Sequence, residues 1–406
     1  MDDIRAELRR DPPTDLRDVG EDAALLERIR DEIRRTGPMP FARFMELALY
    51  DPEGGYYRSA DARPGREGDF VTAPELHPIF GWTLASGLEQ IWRRMGEPAP
   101  FVVRELGAGT GTLGLDLLNG LEREESPLLD AIRYAPVEIE VDRMAALESC
   151  FADSGRGGIL AAPDSTEPMV GVVLGNEVLD ALPVHRVRRR GDRLRELAVE
   201  LGQHDTLTET EIDPTTPALA ERLAAEGIDL VDGQTAEVCL ALDDWIAAAV
   251  APLRQGVLLL IDYGAPAAEL YDSVRRRDGT LRAYVRHQVH DDPYRHVGRQ
   301  DLTAHVDVTA VERAAHAAGL TTIGITTQAE ALMGLGIEER LQAIQADPGT
   351  TFEAYTLVRS ALMRLLDPAA MGRFRVMAFG RDWPAAGPAE APLGLFAYRL
   401  SARPGR

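Results

Sequence analysis

The stretch Phe101-Val102-Val103-Arg104-Glu105-Leu106-Gly107-Ala108-Gly109-Thr110-Gly111 decides the reading of this chain. A short apolar run ends in an acid, meets a glycine cluster and leads into a helical pattern from Leu113 to about Arg123. That order predicts a strand, a tight loop and a helix. In a doubly wound sheet the ligand sits at the C-terminal ends of the strands, where glycines let the backbone approach it closely. Glu105 is the informative residue. A phosphate-binding loop has no need of a carboxylate there, whereas a sulfonium cofactor with a free amino group can use one. The segment also contains Gly109-Thr110-Gly111-Thr112-Leu113-Gly114, which satisfies the G-x-G-x-x-G pattern of dinucleotide sites. That match begins three residues past the apparent strand end, and counted from Gly107 its third position is Thr112 instead of Gly. The sulfonium reading is favoured, with a dinucleotide-dependent oxidoreductase as its rival.

Outward from this unit the chain alternates strand and helix patterns. Strands are expected at 135–141, 170–174 and 256–261, with helices at 78–94, 218–225 and 240–250. Alternation of this kind predicts an α/β fold with a mostly parallel sheet and helices on both faces. Upstream, Leu25, Leu26, Ile29 and Ile33, then Phe41, Phe44, Met45 and Leu49, recur at helical spacing on either side of Thr36-Gly37-Pro38. Residues 51–75 are rich in Gly, Pro and Asp and read as a long functional loop. Residues 186–215 read as a hairpin or excursion from the sheet. The tail is expected to hold a helix near 338–365 and strands at 374–379 and 393–400. The resulting division is an N-terminal helical lobe over 1–95 and a Rossmann-like core over 96–406. The core carries an insertion at about 186–235 and substrate-lobe elements at about 330–375.

Composition narrows the function classes. The 406 residues are 45% hydrophobic and 27% charged, as in ordinary globular proteins. The net charge of −22 argues against nucleic-acid and anionic-membrane binding, both of which need clustered cations. Two cysteines, Cys150 and Cys239, make neither a disulfide framework nor a zinc cluster. The acidic N-terminus lacks a signal-peptide pattern, and no apolar run approaches the roughly 20 residues that span a bilayer. These features point to the cytoplasm. No metal is expected, and homodimer formation is left open.

Three further segments offer site chemistry. Glu138, at the end of the second strand, can accept both hydroxyls of a ribose, with Glu140 and Asp142 as rivals for that role. The run Asn176-Glu177-Val178-Leu179-Asp180-Ala181-Leu182-Pro183-Val184-His185 follows a strand and supplies an amide, two carboxylates and an imidazole. Gly68-Asp69-Phe70-Val71-Thr72-Ala73-Pro74-Glu75 carries donor and aromatic types suited to closing over an adenosyl group. A fourth region, 279–307, contains His287, His305, Arg282, Tyr284, Asp301 and Asp307 without the tight ligand spacing of a metal site. It reads as a polar substrate wall.

Taken in order, these segments resemble the MidA-like S-adenosylmethionine-dependent methyltransferases, relatives of the mitochondrial factor that dimethylates an arginine during respiratory complex I assembly. The resemblance runs from Phe41–Tyr50 through Gly54-Gly55-Tyr56-Tyr57, the Gly68–Glu75 loop, Glu105–Gly111, Asn176–His185, Asp262-Tyr263-Gly264, Thr280–Tyr284 and Gln300–Asp307 to Thr327-Gln328 and 371–377. It implies a class I methyltransferase fold and S-adenosyl-L-methionine as cofactor, with S-adenosyl-L-homocysteine as product. It implies cofactor contacts from Asp69, Phe70, Thr72, Glu105, Gly107, Ala108, Gly109, Glu138, Asn176 and Glu177. The expected acceptor is an arginine or other nitrogen of a protein or peptide. The alternatives are a small-molecule oxygen or nitrogen and a non-catalytic assembly factor that retains the fold. Glu177 and Asp180, three residues apart, are the expected pair for orienting a guanidinium and accepting its proton, with His185 as a further candidate base. The segment departs from the family where Phe80-Gly81 is followed by Trp82, at Arg375, and after Glu138.

Overall fold

Strand β1 (Phe101–Leu106) alternates buried and half-buried positions, so Phe101, Val103 and Glu105 share one face and Val102, Arg104 and Leu106 the other. The computed structural model describes residue 16 and residues 19–58, 72–161, 167–286, 288–384 and 391–399. Around β1 it assembles β2 (Ile132–Val137), β3 (Met169–Asn176), β4 (Leu253–Asp262), β5 (Thr321–Thr327) and β6 (Arg375–Arg381) into one sheet of order β5-β6-β4-β3-β1-β2. The pairs β2–β1, β1–β3 and β3–β4 are parallel, whereas β6 runs antiparallel to β4 and β5. Strands β3 and β4 are buried along almost their whole length, as strands covered on both faces must be. The expected α/β, mostly parallel fold is the one observed.

Helices α1 (Ala23–Thr36), α2 (Phe41–Tyr50), α3 (Ala73–Leu76), α4 (Ile79–Arg94) and α5 (Thr112–Arg123) flank the sheet and the site. The first two are separated at Gly37, whose N–H closes α1 onto the Ile33 carbonyl. Asp22 caps α1 through a bond from the Leu25 amide at 2.9 Å. The first 95 residues pack in two places. Helix α4 shares an apolar core with α5, β1 and β2. Helices α1 and α2 pack with Ala181, Val199, Leu281, Val297 and Leu302. An antiparallel sheet built from His185–Arg190, Arg193–Leu201, Leu207–Ile212, Thr235–Val238 and Met39–Pro40 joins the N-terminal helices to the region after β3.

Three sequence expectations are corrected. The second strand spans Ile132–Val137, earlier than 135–141, because the Glu138 carboxylate accepts the amides of Ile139 and Glu140 and turns the chain there. The single helix near 338–365 is two helices, Ile337–Ala346 and Phe352–Leu366, parted at Asp347-Pro348-Gly349 where Asp347 accepts the Gly349 amide. The stretch 393–400 is no strand in its described residues: it forms a short 3-10 turn, Gly394–Phe396, with the Gly394 amide spent on Gln90 Oε1 at 2.6 Å.

Candidate active site

The C-terminal ends of β1, β2 and β3 open into a cavity of about 700 Å³, well within the range of small-ligand sites. Its floor is the β1–α5 loop. The amides of Gly107 and Ala108 donate to the Val137 carbonyl at 2.9 and 3.1 Å, and that of Gly109 donates to Glu138 Oε2 at 3.0 Å. Gly109 has φ +54°, and a Cβ built there would meet nothing within 4 Å. Since Gly109 also lines the cavity, that open space is where a ligand can lie against the backbone. Gly114, the last glycine of the dinucleotide-like pattern, has a different reason: a Cβ would stand 2.3 Å from Cζ of Tyr134. It lets α5 pack on that ring.

Glu105 lies at the bottom of the cavity, 4% exposed, and its Oε2 accepts the Tyr134 hydroxyl at 2.6 Å. Tyr134 is fixed in turn by stacking on Phe151 with centroids 5.0 Å apart. Burial pushes the Glu105 carboxyl up to about 8, against the opposing pull of the Tyr134 hydrogen bond. The folded chain thus holds this proton far more tightly than an unfolded one, whose glutamates titrate near about 4.3. The unliganded fold loses stability as pH rises from about 4.5 to about 8, on the order of a few kcal/mol. Glu105→Gln is expected to flatten this slope in denaturation measured across that range, with the remainder set by other buried acids; an unaltered slope would contradict the assignment.

Glu138 ties the β2 end together. Its Oε1 accepts the Ile139 and Glu140 amides at 2.8 and 3.0 Å and lies 3.4 Å from the Arg143 guanidinium. Arg143 also donates to the Tyr57 carbonyl, which links this corner to the segment after α2.

The β3 end supplies the third wall. Glu177 has φ +52°, a left-handed conformation costly for a residue with a side chain and found at functional sites. Three contacts hold the turn there. The Glu177 amide donates to the Ile261 carbonyl at 2.8 Å, and Asp262 Oδ2 accepts the amides of Val178 and Leu179 at 3.1 and 2.8 Å. Glu177 Oε1 accepts the Ala73 amide and Asn176 Nδ2, both at 3.1 Å. Oε2 has no hydrogen-bond partner among the described residues, and Glu177 lines the cavity. Asn176 Oδ1 is buried there with no partner among the described residues.

Carboxyl groups crowd this corner. Burial lifts Glu177 to about 8, with Asp180 repulsion adding to it, and burial lifts Asp180 to about 6 despite a bond from the Tyr263 hydroxyl. Asp262 stands well above the usual range, through burial and then the charge of Asp180. Among the described residues none of the three carboxylates is in an ion pair with an arginine. Beside them Tyr57 donates to Asp301 Oδ1 at 2.8 Å, Tyr50 donates to the Ala181 carbonyl at 3.0 Å, and the two tyrosine rings stack.

The expected site residues divide accordingly. Thr72, Glu105, Gly107, Ala108, Gly109, Glu138, Asn176 and Glu177 all line one cavity. Thr72 also opens α3, its amide bonded to Glu75 at 3.1 Å. Asp69, Phe70 and His287 lie outside the described residues. Asp180 and His185 are not among the lining residues. Asp180 sits behind the wall against Tyr263, and His185 Nδ1 pairs at 2.7 Å with Glu196, itself fully buried and bonded to Thr215. Sequence reasoning did not single out Asp262 as the clasp of the Glu177 turn, nor Tyr50 and Tyr57 as cavity lining. Their segments belonged to the family resemblance, but a role fixed by contacts across the fold leaves no local signature. Among the described residues no group of His, Cys, Asp and Glu could hold a metal ion, and no helix is long and apolar enough to cross a membrane.

Comparison with known proteins bears on this geometry. Residues 83–326 match a family model described as S-adenosyl-L-methionine-dependent methyltransferase. A crystal structure from Burkholderia thailandensis, of a superfamily member described as a methyl transferase and bound to S-adenosyl-homocysteine, is similar at 34% identity and a TM-score of 0.83. The match covers 92% of this chain and 94% of that one. A Drosophila melanogaster relative named protein arginine methyltransferase NDUFAF7 homolog, mitochondrial, is 28% identical over 87% of this chain and 84% of its own length. The human protein arginine methyltransferase NDUFAF7, mitochondrial, is 27% identical over 87% and 82%. The expectation of a cytoplasmic location is overturned by these relatives, which are mitochondrial proteins by name.

Proposed function

We propose, from the premise that this chain belongs to the MidA-like family of S-adenosyl-L-methionine-dependent methyltransferases, that it methylates an arginine guanidinium of a protein. One observation carries the choice of acceptor. Asp180 and Asp262 are buried and Glu177 is half-buried beside them, none of the three is in an ion pair among the described residues, and Glu177 Oε2 faces the cavity without a hydrogen-bond partner there, a costly arrangement that a bound cation relieves. The names of the curated relatives support the same acceptor and a protein substrate.

The residues present fit the cofactor. Gly109 leaves open space against its backbone, and the unpartnered Asn176 Oδ1 can accept from an amino group. In this reading Gly107, Ala108 and Gly109 bear the cofactor, Glu138 takes its ribose hydroxyls, and Glu105 and Asn176 face its amino-acid end. When bound, S-adenosylmethionine supplies an electrophilic methyl group on a sulfonium sulfur. The chain's own work is positioning, since in-line transfer depends on a near-attack geometry. Glu177 Oε2 accepts from the guanidinium and takes its proton as the nitrogen becomes a nucleophile. Asp180, held by Tyr263, adds negative charge behind it. His185 stays bound to Glu196 and takes no part. Helices α1 and α2 with the antiparallel sheet form the lobe that presents the substrate.

Acetyl-arginine amide titrated into the S-adenosylhomocysteine-loaded enzyme tests the acceptor. It is expected to bind more tightly than its neutral isostere acetyl-citrulline amide, by about tenfold or more, as for a charge-assisted bond made or lost. Glu177→Gln should remove that preference. Equal binding of the two amides would overturn the arginine reading.

A further inference from the structure

Next to the acidic corner lies a group of arginines that the proposed reaction leaves unused. The chain contains no lysine, so all its 44 basic residues are arginine, against 66 acids. Three of them meet at His305. The His305 amide donates to Thr280 Oγ1 at 3.1 Å, and its ring stands edge-on to Tyr263 at 5.3 Å. Arg276 approaches through the turn before Thr280, its carbonyl accepting the Gly279 amide at 3.2 Å. Arg282 pairs across two short strands with Thr303. Arg373 precedes Phe374, whose ring packs on Tyr263 at 5.3 Å.

Burial, then the charges of Arg276, Arg373 and Arg282, push His305 down to about 3; burial, then Arg373 and Arg282, lower Arg276 against the opposing pull of the Glu237 carboxylate. Neither Arg276 nor Arg373 makes a side-chain hydrogen bond or ion pair among the described residues. Among the described residues Arg282 reaches only the Leu281 carbonyl and, at 3.7 Å, the exposed Asp291. In a chain where acids outnumber arginines, Arg276 and Arg373 have no carboxylate bonded to them among the described residues, and Arg282 has only the distant Asp291. Tyr284, on the same strand as Arg282 and in register with Asp301, feels both groups: burial and then Asp180 and Asp301 raise its hydroxyl, while Arg282 and Arg373 pull it down.

We propose that Arg276, Arg282 and Arg373 form an anion subsite that receives a carboxylate side chain of the polypeptide substrate, close in sequence to the acceptor arginine. The proposal rests on reading the acceptor as a protein arginine. An acidic corner and a basic corner, both felt at Tyr284, then match a substrate segment in which an arginine is followed or preceded by an acid. Guanidinium forks suit this task because they bind carboxylates through two parallel bonds.

The test uses the full chain loaded with S-adenosylhomocysteine and three fluorescein-labelled peptides followed by polarisation: Gly-Gly-Arg-Glu-Glu-Gly, Gly-Gly-Arg-Gln-Gln-Gly, and the first with citrulline for arginine. The Glu peptide is expected to bind at least tenfold more tightly than the Gln peptide at low salt, with the advantage shrinking as salt screens the charges. In Arg276→Ala/Arg373→Ala the advantage should vanish, and in Arg373→Ala alone it should shrink, while S-adenosylhomocysteine affinity and thermal stability stay as in the parent. Arg373 is exposed, so its single variant keeps the test available if the double variant does not fold. Equal binding of the Glu and Gln peptides, no binding of either, or an advantage that survives both variants overturns the proposal. So does inorganic phosphate displacing the Glu peptide as efficiently as unlabelled peptide does, which marks a general anion site. If the citrulline peptide binds as tightly as its arginine parent and loses affinity in the variants, the anion subsite stands and the arginine reading fails instead.

Discussion

Gly109→Val is expected to abolish S-adenosylmethionine binding, lowering affinity by about a hundredfold or more, equivalent to about 3 kcal/mol. Two effects combine. At φ +54° a β-branched side chain is strained in a region that L-residues avoid. Its two methyl groups would project into the cavity where nothing now stands within 4 Å of the Cβ position. The chain should still fold, because the loop remains fastened by the Gly107 and Ala108 amides to Val137 and by the Gly109 amide to Glu138. Gly109→Ala, with the strain but little bulk, should fall between the two. Calorimetry on the purified variants reads the result, and parent-like affinity in the valine variant would remove this loop from the cofactor site.

The second large effect is on turnover. Glu177→Gln keeps the acceptor for the Ala73 amide and the shape of the turn clasped by Asp262, but it cannot take a proton. Methyl transfer should fall by about a hundredfold to ten-thousandfold, the usual span for losing a general base, while cofactor affinity stays within a few-fold. A pH profile gives a second readout. The parent's carboxyl sits at about 8 before substrate binds, so activity should rise with pH until that proton is lost. The rise depends on the charged form, which a bound guanidinium favours, so its midpoint should lie below that of the free enzyme. In the Gln variant the limb should disappear. A variant with parent-like turnover, or one with the same pH limb, would show that Glu177 only shapes the turn.

The sheet and the cofactor floor were legible because their determinants are local. An apolar run, an acid and glycines within eleven residues define a strand end and its loop wherever they occur, and Asn176-Glu177 repeats the logic one strand over. What escaped was set at a distance. Tyr57 and Asp301 are bonded across 244 residues, and Asp262 clasps a turn more than 80 residues upstream. His185 looked like a base by proximity in sequence to Glu177 and Asp180. Strand pairing then carried it onto the antiparallel sheet, where Glu196 holds it. The acidic balance of the whole chain hid the opposite fact about one place, where Arg276, Arg282 and Arg373 converge. Boundaries moved for similar reasons: the Glu138 carboxylate ended β2 early, and Asp347 split a helix whose apolar spacing ran on past it.

The central claim is that a cofactor methyl group leaves this cavity on a guanidinium nitrogen. Methyl-labelled S-adenosylmethionine should be incubated with the enzyme and a protein extract from cells that lack it, followed by acid hydrolysis and separation of the amino acids. Label is expected in methylated arginine with the parent enzyme and little above background with Glu177→Gln. Label recovered in another residue, label lost as a volatile ester product, or equal incorporation by the two enzymes would contradict it.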